Sequence, residues 1–168
     1  MKRYQYALWL TSVVILVGMT ACSPRATELP LETIERNDSY SAEEGYGGLE
    51  PRVVLITSQD DIDRLDGLIS QVAIDQLAEL NFEQYFAVAV LRGRQPTSGY
   101  NTIIKRVAKQ GDKIIIYAQF WEPSPYYEVT LEETSPYHLI RVRWDNDVSK
   151  EIELMLQSQL VTPTPPSR

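Results

Sequence analysis

One cysteine (Cys22) and one histidine (His138) are all that 168 residues offer of the side chains most used for metal and redox chemistry. A lone Cys closes no internal disulfide, and the two together fall short of a Cys/His zinc site. Basic charge is scarce as well: 16 Lys and Arg stand against 23 Asp and Glu, a formal net charge of −7. Setting aside Lys2 and Arg3, which belong to the leader described below, makes the remainder more acidic still. A phosphate-binding surface therefore has no electrostatic basis, and the partner is not nucleic acid. No Gly-rich phosphate loop or nucleotide signature occurs, and no cofactor is called for. Phe is rare, three against ten Tyr, so the aromatic rings are mostly of the kind that sits half in water. What is present, a hydrophobic fraction of 43%, suffices for the core of one modest domain with appendages.

The one long hydrophobic run, residues 7–17, follows Lys2 and Arg3 and precedes Gly18-Met19-Thr20-Ala21-Cys22. This is the charged, apolar and small-residue layout of an export signal, and the run is shorter than the ~20 residues that cross a bilayer. Ala21 directly before the only Cys resembles a lipobox, with Met19 where Leu is commonest. On this reading residues 1–21 are a lipoprotein-type signal peptide, and Cys22 carries lipid on the extracytoplasmic face of a membrane. The other reading is an uncleaved anchor, which exports the same segment. Residues 22–51 are polar, acidic and turn-rich without a sustained period, which predicts a flexible linker. Residues 159–168 hold three prolines and predict a disordered tail. Between them lies one domain, residues 52–158.

Within that domain, residues 52–57 read as a buried strand. Ser58 three residues before Asp61, followed by Ile62, Leu65, Leu68, Ile69 and Val72, predicts a helix opened by a capping box. A second, weaker helix covers residues 73–80. The acids at 60, 61, 63 and 66 lack the alternating oxygens of a calcium loop and are read as helix-capping residues. Residues 83–93 hold the most continuous apolar run and predict a central strand. Residues 101–109 and 113–121 predict a hairpin across Gln110-Gly111-Asp112. Residues 127–131 predict a short edge strand, 137–144 a strand with one wet face, and 151–156 a last strand; Asp145 and Asp147 read as turn residues. The class is α+β: a mainly antiparallel β sheet or small sandwich with one or two short helices near the start of the domain.

Two places carry candidate chemistry. Residues 94–100 pack Pro96, Thr97, Ser98, Gly99 and Tyr100 into one loop, where Pro fixes one φ and Gly permits a positive one. A preset loop with hydroxyls and one amphipathic ring gives up little entropy on docking, which makes these five residues candidates for partner contact; the alternative is that they serve the turn alone. An aromatic cluster around Pro123, Pro125 and Pro136 adds Trp121, Tyr126 and Tyr137 as contact candidates, the alternative being core. His138 starts a strand with no hydroxyl suitably aimed at it, so catalysis by it is disfavoured.

Certain motifs then match a known family. Residues 92–100, entered from Ala87-Val88-Ala89-Val90-Leu91, resemble the "strand, G-x-x-P-T-G-G-Y, strand" core of the PrcB-like family, whose name comes from a subunit of a bacterial surface protease complex. Thr134-Ser135-Pro136-Tyr137 with the apolar residues that follow resembles the family's "T-S-P-Y" strand, and Asn81-Phe82 resembles its "D-F" step. Ser98 and Asn81 depart from the more usual Gly and Asp. The resemblance covers residues 53–144. It implies an exported or lipid-anchored accessory domain, without a catalytic role, that binds and stabilises or modulates a surface protein such as a protease. More loosely, the loop is similar to the Asn-Pro-Thr-Thr-Gly loop of the chagasin-like peptidase inhibitors, with Gln95 in place of Asn. An inhibitor is thus the first alternative, and a hydrolase built on His138 the second.

Overall fold

The run Tyr85–Leu91 (YFAVAVL) contains no charge and is buried along nearly its whole length, because both of its faces are covered. In the computed structural model, which describes residues 26–126, 128–143 and 151–158, it is the fourth of eight strands. These are β1 (Thr27–Leu29), β2 (Leu31–Asn37), β3 (Arg52–Ile56), β4 (Tyr85–Leu91), β5 (Asn101–Gln110), β6 (Lys113–Trp121), β7 (Tyr137–Arg143) and β8 (Glu151–Ser158). A 3₁₀ helix, Gln59–Leu65, and a helix α1, Gln71–Ala78, lie between β3 and β4. The strands form two sheets in the orders β1-β5-β6-β8 and β2-β7-β4-β3. The fold is therefore a small α+β sandwich, antiparallel apart from β8, which pairs parallel to β6.

Alternation along β4 divides the core in two. Phe86, Val88 and Val90 join Val107, Ile114, Ile116 and Ile140 between the sheets. Ala87, Ala89 and Leu91 face the other way, onto Ile62, Leu65, Ala73 and Leu77 of the helical layer. Each large side chain so covered contributes about 1.5–3 kcal/mol. The β5–β6 hairpin turns at Gly111 with φ +59, as its composition predicts. Among the described residues no helix is long and apolar enough to cross a membrane. The expected signal peptide, Cys22 and the tail 159–168 lie outside the described residues.

Three expectations are corrected. Residues 27–51 are folded and do not form a flexible linker: β1 pairs with β5, β2 pairs with β7, and residues 38–50 pack against the loops at one end. The sequence shows no period there because β2 is an edge strand with a register break between Thr33 and Glu35, and it is held by polar contacts. Glu35 accepts the Tyr137 hydroxyl at 2.8 Å and the Ser70 hydroxyl at 2.7 Å, while Tyr40 donates to Ile69 O at 3.0 Å and meets Tyr137 edge-on. Second, the expected long helix is a seven-residue 3₁₀ helix that stops before Gly67 (φ +66), leaving Val72 61% exposed on the next helix. The Ser58 hydroxyl caps nothing; Asp61 instead reaches back to Thr57 N at 2.8 Å and Thr57 Oγ1 at 2.9 Å, and Ser70 caps α1 through Ala73 N at 3.1 Å. Third, residues 128–131 are not an edge strand; they run beside the loop that precedes β5, and Tyr127 lies outside the described residues.

Glu35→Ala leaves the buried Tyr137 hydroxyl and Ser70 without their acceptor, so it should lower unfolding stability by about 1–3 kcal/mol in urea titrations. A loss under about 0.5 kcal/mol would show that this polar network contributes little to holding β2.

Candidate functional site

The loop between β4 and β5, residues 92–100, begins with a buried cation. Arg92 donates from Nη1 to Asn101 O at 2.9 Å and to Trp121 O at 2.6 Å, the facing residues at the mouth of the β5–β6 hairpin. Its guanidinium lies over the rings of Tyr100 and Phe120, 4.8 and 5.0 Å from their centroids. Burial pushes its pKa down, opposed by Glu122, Tyr100 and Asp38. Gly93 follows at φ +90, in a place where a Cβ would strike Gly48 O, and Arg94 N donates to that same oxygen at 2.8 Å. Arg94 also pairs with Glu133 at the surface, a contact that contributes little by itself.

From Gln95 onward the loop is stitched to the segment before β7. Gln95 N donates to Thr134 O at 2.7 Å and Thr134 N to Gln95 O at 3.0 Å, a reciprocal antiparallel bridge. Thr134 Oγ1 donates to Thr97 O at 3.1 Å. Ser98 N donates to Thr130 O at 3.1 Å, and Ser98 Oγ accepts from Thr130 N at 2.9 Å. Gly99, again at φ +90, sits so that a Cβ would lie 2.9 Å from Pro123 Cβ. Ser135 closes the far side, donating from N to Tyr40 O at 2.7 Å and from Oγ to Tyr46 O at 2.9 Å. Pro96 and Leu131 border an open cleft of about 670 Å³ whose walls include Glu43, Glu132 and Glu133.

The expected contact residues thus divide. Pro96 and Gly99 are exposed; Thr97, Ser98 and Tyr100 are half-buried. The hydroxyls of Thr97 and Ser98 make bonds inside the loop region, Thr97 Oγ1 to Ser98 O at 3.1 Å, so they hold its shape. Trp121 is half-buried and Tyr126 61% exposed, and both lie on the segment that abuts the loop. Tyr137 is corrected: it is fully buried, its hydroxyl donating to Glu35 and accepting from Ser70 N at 3.1 Å, with burial the main cause of a pKa raised to about 12. It is a core residue because β7 is covered on both faces. Arg92, Thr130 and the 88% exposed Leu131 belong to this end of the molecule and were not singled out by sequence. Thr134 could have been: it opens the second motif.

His138 does not face a cleft. It is buried, its Nδ1 accepting Ile104 N at 2.8 Å and its Nε2 lying 2.9 Å from Thr33 Oγ1. Since Nδ1 accepts an amide N–H, the ring is the neutral Nε2–H tautomer, donating to Thr33. Ile104 and Thr33 both sit at register breaks, in β5 and β2, so one imidazole on β7 ties the two sheets where their ladders are interrupted. A hydrolase centred on His138 has no substrate access here. Among the described residues no group of His, Cys, Asp and Glu is placed to hold a metal ion.

Fold and site together define a small sandwich with a preset, hydroxyl-stitched loop at one end. The PrcB C-terminal family model matches residues 86–143, from β4 through β7, so the segment bearing both motif stretches carries that family's signature. No curated protein and no solved structure matches the chain. The chagasin-like similarity is not shown by these comparisons.

Two outcomes follow from this geometry. Gly93→Ala should destabilise by about 1–3 kcal/mol, through the positive φ and the clash with Gly48 O, and should speed amide exchange at Arg94 and Gln95. For His138, burial first and the Arg36 charge second lower the pKa from 6.5 to about 4. The unfolded chain takes up this proton near pH 6.5, so the contribution to stability is complete above that pH and is lost as pH falls through about 4. The gap amounts to about 3 kcal/mol, visible as the difference between the stability–pH curves of wild type and His138→Gln; parallel curves from pH 7 to 4 would contradict it.

Proposed function

We propose that this chain is a non-enzymatic, exported and lipid-anchored accessory protein whose sandwich binds and stabilises, or otherwise modulates, a surface protein, with a protease as the leading candidate. The observation that carries this reading is the PrcB C-terminal match over residues 86–143, because both of its motif stretches meet in one rigid loop end. Rigidity there lowers the entropy lost on docking, and the exposed surface left for contact includes Pro96, Gly99, Tyr126 and Leu131.

The proposed anchor suits that arrangement. Cys22 stands five residues before Thr27, a reach of at most ~18 Å. Thr27 pairs with Lys109 beside the β5–β6 turn, whereas the loop enters β5 at its other end, Asn101. Across ten-residue β5 the two points are separated by ~30 Å, so a lipid on Cys22 holds the turn end toward the membrane and directs the loop outward.

Fatty-acid labelling of wild type and Cys22→Ser tests the anchor: label should appear only in the wild type. Crosslinking in native membranes tests the contact. A discrete partner should be captured by wild type and reduced at least ~10-fold by Leu131→Asp, a change at a side chain that supports no core. Deleting the protein should lower the partner's abundance if it stabilises, or raise the partner's activity at constant abundance if it restrains it. An unchanged partner in every respect would end the accessory reading.

A further inference from the structure

We infer that the free edge of β3 is a second interaction site, one that accepts an extended, acid-bearing peptide segment of a partner protein as an added strand. The site is independent of the loop end and stands whether or not the loop is a contact. β3 is the last strand of its sheet: β4 pairs with one side in unbroken register from Arg52 to Ile56, and among the described residues no strand pairs with the other. In an antiparallel ladder alternate residues turn both N–H and C=O away from the neighbour, so this side presents unpaired donors and acceptors.

The other edges carry the features that discourage such pairing. β1 is three residues long, β2 is interrupted by a register break and bears Glu32, Glu35 and Arg36, and β8 bears the exposed Glu153. β3 (RVVLI) has no proline, no bulge and no charge after its first residue. A regular apolar edge of this kind, five residues in length, is a template for strand addition unless something covers it. Val53 and Leu55 are only partly buried against the inter-sheet core, and a strand laid outside β3 would complete their cover.

An open groove of about 270 Å³ runs along this edge, walled on its far side by Asp61 and Arg64 of the 3₁₀ helix. A strand edge facing a helix across a groove is the geometry in which main-chain bonds supply affinity and side-chain pockets supply selectivity. The groove's charge defines the ligand. Asp61 is committed to Thr57 and to Arg64, which it meets at 3.2 Å. Arg52 makes no ion pair among the described residues; it is exposed, 5.9 Å from the Tyr46 ring centroid. The bound segment would therefore place apolar residues alternately along Val53 to Ile56 and a carboxylate beside Arg52.

The test is selection from a display library of random nine-residue peptides on the full chain in nonionic detergent, followed by hydrogen exchange with a synthetic selected peptide. Expected are sequences that alternate apolar residues and carry an Asp or Glu, and slowed exchange confined to residues 52–57. Arg52→Glu, which leaves the core untouched, should weaken the selected peptide at least ~10-fold and shift selection toward Lys and Arg. Leu55→Lys, an inward charge at the edge, should abolish binding; its thermal unfolding is read in parallel. No enrichment, or selected peptides that protect another segment, overturns the proposal. So does protection of 52–57 that rises with protein concentration alone, since the occupant would then be a second copy.

Discussion

The reciprocal bridge between Gln95 and Thr134 is the constraint on which the loop end of this molecule depends. Two backbone bonds there join segments that leave different strands, and the Thr134 hydroxyl adds a third to Thr97 O. Each is worth only about 0.5–1.5 kcal/mol net, yet their effect is multiplied because they share one loop. Once Gln95 and Thr134 are paired, Ser98 and Thr130 fall opposite each other and close a second exchange. Pro96 is then the tip between two fixed points. A loop pinned at both flanks has lost most of its freedom before any partner arrives.

Beneath that seam lies Arg92, and its placement explains why the seam is where it is. A guanidinium removed from water needs acceptors, and it finds them in two carbonyls at the mouth of the β5–β6 hairpin, with two aromatic faces around it. This ties the end of β4 in one sheet to the end of the hairpin in the other. His138 performs a comparable service deeper in the sandwich, satisfying the Ile104 amide that the β5 register break turns away from its ladder. Both residues are structural in the fold.

What was legible in the sequence follows from how each element is stabilised. β4, β5, β6 and β7 are buried through apolar side chains, and their runs and turn residues announced them. β1 and β2 are held by ladder bonds to β5 and β7 and by a polar network through Glu35, Tyr40 and Tyr137, so hydropathy offered no signal and the segment read as a tether. The break at Gly67 was hidden because the apolar series 62, 65, 68, 69 and 72 fits a helix; Ile62, Leu65 and Ile69 are buried by the 3₁₀ helix and the turn after it, and Val72 is left exposed. At the site, the loop was found because Pro and Gly betray preset backbone. Arg92 and Leu131 were not, since an Arg at a strand end reads as solvated and a Leu in a polar stretch reads as core, the reverse of each case here.

The engagement of Thr97 and Ser98 changes what kind of recognition this end can perform. Hydroxyls that close internal bonds are poor donors to a partner, because a new bond would replace an existing one and the net gain would be small. The groups still free include a proline ring, a glycine backbone, an exposed leucine and a tyrosine, with carboxylates nearby. In the contact proposed for this end, such a surface would discriminate by shape and by the apolar area it covers, with its acids favouring a basic neighbour. Departures from a fitted outline are penalised sterically, so under that proposal the positive-φ glycines at 93 and 99 matter as much as any side chain, since they set the outline itself.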